Sequence, residues 1–148
     1  MTRTINWWAI LGATVAAMFV GFLFYGALFN APWTAAVGLT TTDEVNYFKH
    51  GTPVTIDPVT PMLINAFVMA AYALFLSWLM QRTKRKTFAE GALLGLLVGL
   101  VVAASHGLTN LFAMNPAILT IIDGSYHAVL FAIIGGIVAR WPVVRRIP

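Results

Sequence analysis

The chain has 148 residues, enough for one domain, with 59% hydrophobic residues, 9% charged residues and a mean hydropathy of +0.82. Soluble domains carry roughly 25% charged residues, so this composition excludes an ordinary soluble fold and predicts an integral membrane protein. The formal charge of +4 does not point to nucleic acid, because all the basic residues but one flank apolar segments and no solvated basic domain is left to hold a polyanion.

Apolar runs of roughly 20 residues predict four transmembrane helices, at about 7–29, 61–81, 88–112 and 117–141, in an all-α four-helix bundle formed by the single domain 1–148. The first run is longer than a signal-peptide core, and no small-x-small cleavage site follows it, so a retained helix is expected. Thr60-Pro61 and Asn115-Pro116 each offer a capping side chain before a proline at the first helical position. Thr87 and Glu90 have capping-box spacing, which makes Glu90 a helix-start carboxylate rather than a proton carrier, and Pro142 closes the last span. Arg3, the 82–86 loop and Arg140, Arg145 and Arg146 together place eight positive residues on one side against Lys49 on the other. The positive-inside rule then predicts cytoplasmic termini, with Trp7, Trp8, Trp78 and Trp141 at the inner interface.

Residues 30–60 form the one sizeable loop, outside the membrane. Thr41-Thr42-Asp43-Glu44 has a capping pattern and Gly51 follows "VNYFKH", so a short, weakly amphipathic surface helix is expected over about 42–50, acting as a cover, a lid or a docking surface. The segment "TPVTIDPVTP" is expected to be extended.

Small residues recur every fourth position on the third span, at Gly91, Gly95, Gly99, Ala103 and Gly107, and on the fourth, at Gly124, Ala128, Ala132 and Gly136. Two apolar helices gain nothing hydrophobic by associating in lipid, so close backbone approach over small residues supplies the contact. The rows are assigned either to the hairpin made by spans three and four or to a contact with another subunit.

The polar side chains gather in "HGLTNLFAMNPAILTIIDGSYHAV", residues 106–129. At 1.5 Å per residue, His106 and His127 fall at a similar depth, about 8 Å under the outer interface. Asn110 lies one turn above His106 and Asp123 one turn above His127, each on its neighbour's face, whereas Tyr126 points elsewhere. Asn65 and Asn30 reach comparable levels on spans two and one. Unpartnered polar groups cost several kcal/mol in lipid. The candidate residues His106, Asn110, Asp123, His127, Asn65 and Tyr126 are therefore read first as a hydrogen-bond network, Asp123 with His127 and His106 with Asn110. The alternatives are an outward-facing ligand pocket, a metal site using two His and one Asp, and a histidine proton relay.

No cysteine is present, which removes disulfides and thiolate chemistry and leaves the redox compartment open. No GxSxG, phosphate-cradling loop or paired acids with a nucleophile occurs, and Ser105 and His106 point about 100° apart on a helix. No catalytic residue, metal or cofactor is expected, and an intramembrane enzyme ranks last.

"GFLFYGALFNAPWTAAVGLT" resembles the opening signature of a family of small bacterial membrane proteins known as domain of unknown function 1761, with Gly21, Phe24-Tyr25, Leu28-Phe29, Trp33 and Gly38-Leu39-Thr40 matching. "LFAMNP" and "IIDGSYHAVLFAIIGGIVARW" resemble its last hairpin, with Tyr126-His127 and Trp141 in place. Phe24 replaces an expected Trp, Ala31-Pro32 a more polar pair, and Asp123 a more usual asparagine. The resemblance implies a four-helix protein of a bacterial inner membrane and brings no established activity or cofactor. The expected role is that of a non-enzymatic structural or accessory subunit acting through helix and lipid contacts, with other membrane subunits or a second copy as partners. The alternative is a small homo-oligomeric transporter or ligand-binding protein.

Overall fold

The computed structural model describes residues 5–43 and 45–141. Arg3, Glu44, Pro142, Arg145 and Arg146, which entered the charge, capping and helix-end readings, lie outside the described residues. Helix α1 (Trp7–Gly21) starts where the Asn6 side chain accepts the Ala9 N–H at 3.2 Å. It continues as a π-helical segment, Phe22–Leu28, followed by the short α2 (Asn30–Ala36). After the loop come α3 (Val59–Thr83), α4 (Phe88–Phe112) and α5 (Ala117–Arg140). Trp7–Leu28, α3, α4 and α5 are the four helices long and apolar enough to cross a bilayer, and they coincide with the four expected runs to within a few residues.

The helix starts follow the side chains available. Thr87 and Glu90 make the expected capping box, the Thr87 hydroxyl accepting the Glu90 N–H at 3.2 Å and the Glu90 carboxylate accepting the Thr87 N–H at 3.2 Å. The other two caps differ from the expectation. Helix α3 begins two residues early, because the Asp57 carboxylate, not Thr60, accepts the N–H groups of Val59 at 2.9 Å and Thr60 at 3.3 Å. At α5, Pro116 occupies the capping position. Met114 adopts a left-handed φ of 56° and Asn115 turns back, donating from Nδ2 to Asn110 Oδ1 at 3.0 Å.

The expected surface helix over 42–50 is absent. The loop forms a three-stranded antiparallel meander, β1 (Leu39–Thr41), β2 (Tyr47–Lys49) and β3 (Thr52–Val54), in the order β1-β2-β3. Asp43 explains the first half of the difference. Its carboxylate accepts the Val45 N–H at 3.0 Å and the Asn46 N–H at 2.7 Å, closing a turn where a helix start was expected. His50-Gly51 explains the second half: both have positive φ, 50° and 80°, as a two-residue hairpin turn requires. Gly51 therefore ends no helix, and Tyr47, Phe48 and Val54 take the strand conformation that aromatic and β-branched residues favour.

Helix α5 is the centre of the molecule. Ile10, Ala13, Ala17 and Val20 of α1 and Met69, Ala73, Leu76 and Met80 of α3 pack with Leu130, Phe131, Ile134 and Val138 of α5 in one core. Helix α4 packs along α5, with Leu94, Val98 and Val102 half-buried against this core, and makes no comparable contact with α1 or α3. The bundle is consequently open, three helices sharing a core and a fourth laid along α5. Helix α4 buries only Gly91, Gly95, Gly99, Gly107 and Asn110, while Leu93, Leu97, Val101, Leu108 and Leu111 face outward, as lipid-contacting side chains do.

The α4–α5 seam is a backbone contact. A Cβ added at Gly91 would collide with the Gly135 carbonyl oxygen, and one added at Gly95 with that of Phe131. At Gly99 it would lie 2.6 Å from the His127 carbonyl oxygen. The glycine ridge of α4 lies in the groove between two adjacent rows of α5, one through His127, Phe131 and Gly135 and the other through Ala128 and Ala132. Towards the other end side chains replace backbone in the seam: an added Cβ at Gly107 would lie tightly, 3.0 Å from Thr120 Cγ2, and one at Gly124 in ordinary contact, 3.8 Å from the Ala103 Cβ. Gly136 accommodates the Phe88 ring, its added Cβ falling 2.5 Å from that ring.

Two outcomes are expected. Gly95→Ala forces backbone apart and destabilises by about 2 kcal/mol, whereas Gly124→Ala, in ordinary contact range, changes stability by less than about 0.5 kcal/mol; unfolding in detergent micelles measures both. The second concerns Asp57, whose carboxyl is held below the usual carboxylate range by hydrogen bonds from the Thr60 side chain and the N–H groups of Thr60 and Val59. With the folded value below the unfolded one, this contribution is complete above the ordinary carboxylate range and is lost as pH falls through the folded value. Asp57→Asn, which caps without a charge, therefore lies closest to wild type in acid and falls behind as pH rises, in thermal scans run between pH 3 and pH 7.

Candidate functional site

One buried carboxylate organises the end of the molecule that carries the loop. Asp123 lies in the second turn of α5 and is 5% exposed. Its Oδ1 accepts the Tyr25 hydroxyl at 2.9 Å. Its Oδ2 accepts from His106 Nε2 at 3.1 Å and from Asn110 Nδ2 at 3.3 Å. His106 and Asn110 stand one helical turn apart on α4, so both reach the same carboxylate across the seam. Asn110 Oδ1 in turn accepts from Asn115, which ties the α4–α5 turn to the cluster. Three of the four long apolar helices thus converge on one side chain: the π-helical end of the first, α4 and α5.

The pairing differs from the one expected on the residues alone. Asp123 does not offer its carboxylate to His127. The His127 Nδ1 donates to the Asp123 backbone carbonyl oxygen at 2.6 Å. Since a carbonyl only accepts, Nδ1 carries the proton, and in the neutral ring Nε2 is left as an acceptor. Nor does His106 pair with Asn110, because both donate across the seam to Asp123. The two imidazoles are nevertheless neighbours, with ring centroids 5.3 Å apart. His106 remains half-exposed, its side chain 45% accessible, whereas the Asp123 side chain is 7% accessible.

Tyr126 also belongs here. It is buried at 7% exposure and packs edge-on against Tyr25 at 5.0 Å, Phe24 at 5.7 Å and His127 at 5.1 Å. Tyr25 further meets Trp33 edge-on at 5.3 Å. Asn65 is not part of the cluster; its Nδ2 donates to Met18 Sδ at 3.3 Å and joins α3 to α1. Asn30 donates to the Tyr25 carbonyl oxygen at 2.9 Å, filling a backbone acceptor where the π-helical segment gives way to α2.

Tyr25 is the member that residue-by-residue reading missed. A tyrosine alone in an apolar span was a usable signal. Its direction was not legible, because regular helical spacing does not describe Phe22–Leu28, where hydrogen bonds skip one further residue and the helix widens. Among the described residues no group of three His, Cys, Asp or Glu side chains is arranged to hold a metal ion. Every buried side-chain nitrogen and oxygen among the described residues has a hydrogen-bond partner.

The family model described as a protein of unknown function, DUF1761, matches residues 8–139. The chain belongs to this family. The match takes in the four apolar helices except their outermost residues Trp7 and Arg140, the loop and every residue of the Asp123 cluster. No curated protein and no solved structure matches the chain.

A double-mutant cycle tests the cluster's wiring. Tyr25→Phe removes one donor and is expected to cost about 1 kcal/mol, the scale of interhelical hydrogen bonds in membranes. Asp123→Ala strands three donors and is expected to cost about 3 kcal/mol. In the Asp123→Ala background Tyr25→Phe should cost almost nothing, as read by detergent unfolding.

Proposed function

We propose that this multi-pass protein is a non-enzymatic structural or accessory component of a bacterial inner membrane, acting through helix–helix and lipid contacts with both termini in the cytoplasm. The observation that carries the proposal is the filling of Asp123. Its two oxygens are satisfied by Tyr25, His106 and Asn110, so the most polar group inside the helices is used to join three of them. The glycines at every fourth position of α4, Gly91, Gly95 and Gly99, support the same reading, since close approach to the α5 backbone suits a scaffold assembled in lipid. The basic residues Arg82, Lys84, Arg85, Lys86 and Arg140 lie at one end of the helices, and that end is assigned to the cytoplasm by the positive-inside rule.

A second reading draws on the half-exposed His106 beside His127. A polar ring at this level avoids acyl chains by facing water, a ligand or another polypeptide. A small homo-oligomeric transporter or ligand-binding protein would use these two rings, with Asn110, Asp123 and Tyr126 behind them.

Gentle detergent purification from native membranes separates the readings. An accessory subunit is expected to elute with a stoichiometric set of other membrane polypeptides, and His106→Gln with His127→Gln leaves that association within about two-fold. A free homodimer whose double variant assembles normally but loses ligand- or pH-dependent behaviour replaces the first reading with the second.

A further inference from the structure

The opposite end of the molecule carries a groove that the Asp123 cluster does not touch. It has a volume of about 400 Å³ and is lined by Trp78, Gln81, Arg82 and Lys84, from the last turn and a half of α3 and the residue that caps it. The Arg82 guanidinium lies over the Trp78 ring, 5.7 Å from its centroid. Stacking on an indole orients the planar guanidinium and leaves its N–H groups to a ligand. Lys84 has a left-handed φ of 57°, which turns the chain sharply at the end of α3.

The cations of this loop are not equivalent. Arg85 is used by Glu90, with Nη1 3.4 Å from Oε1, and the remaining acceptor capacity of that carboxylate goes to Thr87 and the Lys86 N–H. Neither Arg82 nor Lys84 has an acidic partner among the described residues. Two cations without an acidic partner among the described residues therefore line the same groove. The C-terminal end of α3 opposes an anion, but its dipole amounts to roughly half a charge, against two full positive charges. The balance favours a negatively charged occupant.

Position selects the kind of anion. Trp78 is half-exposed and lies near the end of an apolar helix, the level at which indoles sit among lipid headgroups. Above it along α3, Phe75 is exposed and stacks on Trp78 with ring centroids 6.0 Å apart. An occupant with a phosphodiester at Arg82 and Lys84 can lay its acyl chains along this aromatic face, which a soluble anion leaves uncovered. We infer that the groove formed by Trp78, Gln81, Arg82 and Lys84 is a binding site for the headgroup of an anionic phospholipid.

The test uses the full chain in non-denaturing detergent, with phosphatidylglycerol or phosphatidylcholine added and bound lipid counted by native mass spectrometry. Phosphatidylglycerol is expected to bind in preference, and Arg82→Gln with Lys84→Gln to weaken it about thirty-fold, from roughly 1 kcal/mol for each cation near a lipid surface. All four positions tested are exposed, and unchanged helicity and elution volume verify folding. A charge-matched control, Lys86→Gln with Arg140→Gln, removes two cations from the same end but outside the groove and is expected to retain binding within about three-fold. The inference is overturned if phosphatidylcholine binds equally, if the control loses as much as the groove variant, or if millimolar inorganic phosphate displaces the lipid.

Discussion

Everything on the α4 side of this molecule hangs on contact between two backbones. Helix α4 packs on α5 and on little else, and at Gly91, Gly95 and Gly99 the carbonyl oxygens of α5 fill the space that side chains would need. Such closeness has a physical reason in a bilayer. Lipid tails are as apolar as leucine, so the helices gain from dispersion between well-packed atoms, and that attraction falls quickly with separation. A glycine ridge brings the most atoms into range. It also fixes how far α4 can slide or rotate along α5, because each glycine has its own carbonyl opposite.

That constraint makes the polar cluster possible. His106 and Asn110 reach Asp123 only while the seam keeps α4 in register. The dependence runs the other way too, since towards Gly107 and Gly124 the seam meets the side chains of Thr120 and Ala103 instead of backbone, and there the hydrogen bonds to Asp123 take over. The hairpin is thus held by two different physical effects along its length, dispersion at the basic end and directional polar contacts at the loop end. Phe24 and Tyr25 of the first span, with Trp33 of α2 and Tyr126 of α5, close over the cluster and keep the carboxylate in an apolar setting, where its hydrogen bonds are strong and a lost partner is costly.

Much of this was legible in the sequence because the signals were long or local. Runs of apolar residues marked the four helices, and Thr87 with Glu90 announced a helix start that depends on no distant residue. Residues destined for the cluster stood out as polar side chains in hydrocarbon, and their common level followed from counting turns. Pairing was another matter. Asp123 was assigned to His127 by spacing within one helix, yet its partners lie on other elements, and register between helices is decided by the glycine seam. The loop failed for a different cause. Thr41, Asp43 and Gly51 are compatible with helix ends and with turns alike, and the choice fell to two neighbours, Asn46 for the Asp43 turn and His50 for the hairpin. The open arrangement, with α4 joined to the other helices mainly through α5, had no one-dimensional signal, since outward-facing and buried faces are equally apolar.

The widened stretch at Phe22–Leu28 carries one consequence for how such chains can diverge. An ordinary helix turns about 100° per residue, so losing a single amino acid there would restore normal pitch and swing the Tyr25 phenol off the carboxylate. Length, hydropathy and number of crossings would hardly register the change. A shortened relative would look the same by every compositional measure while its first helix had come unhooked from the rest.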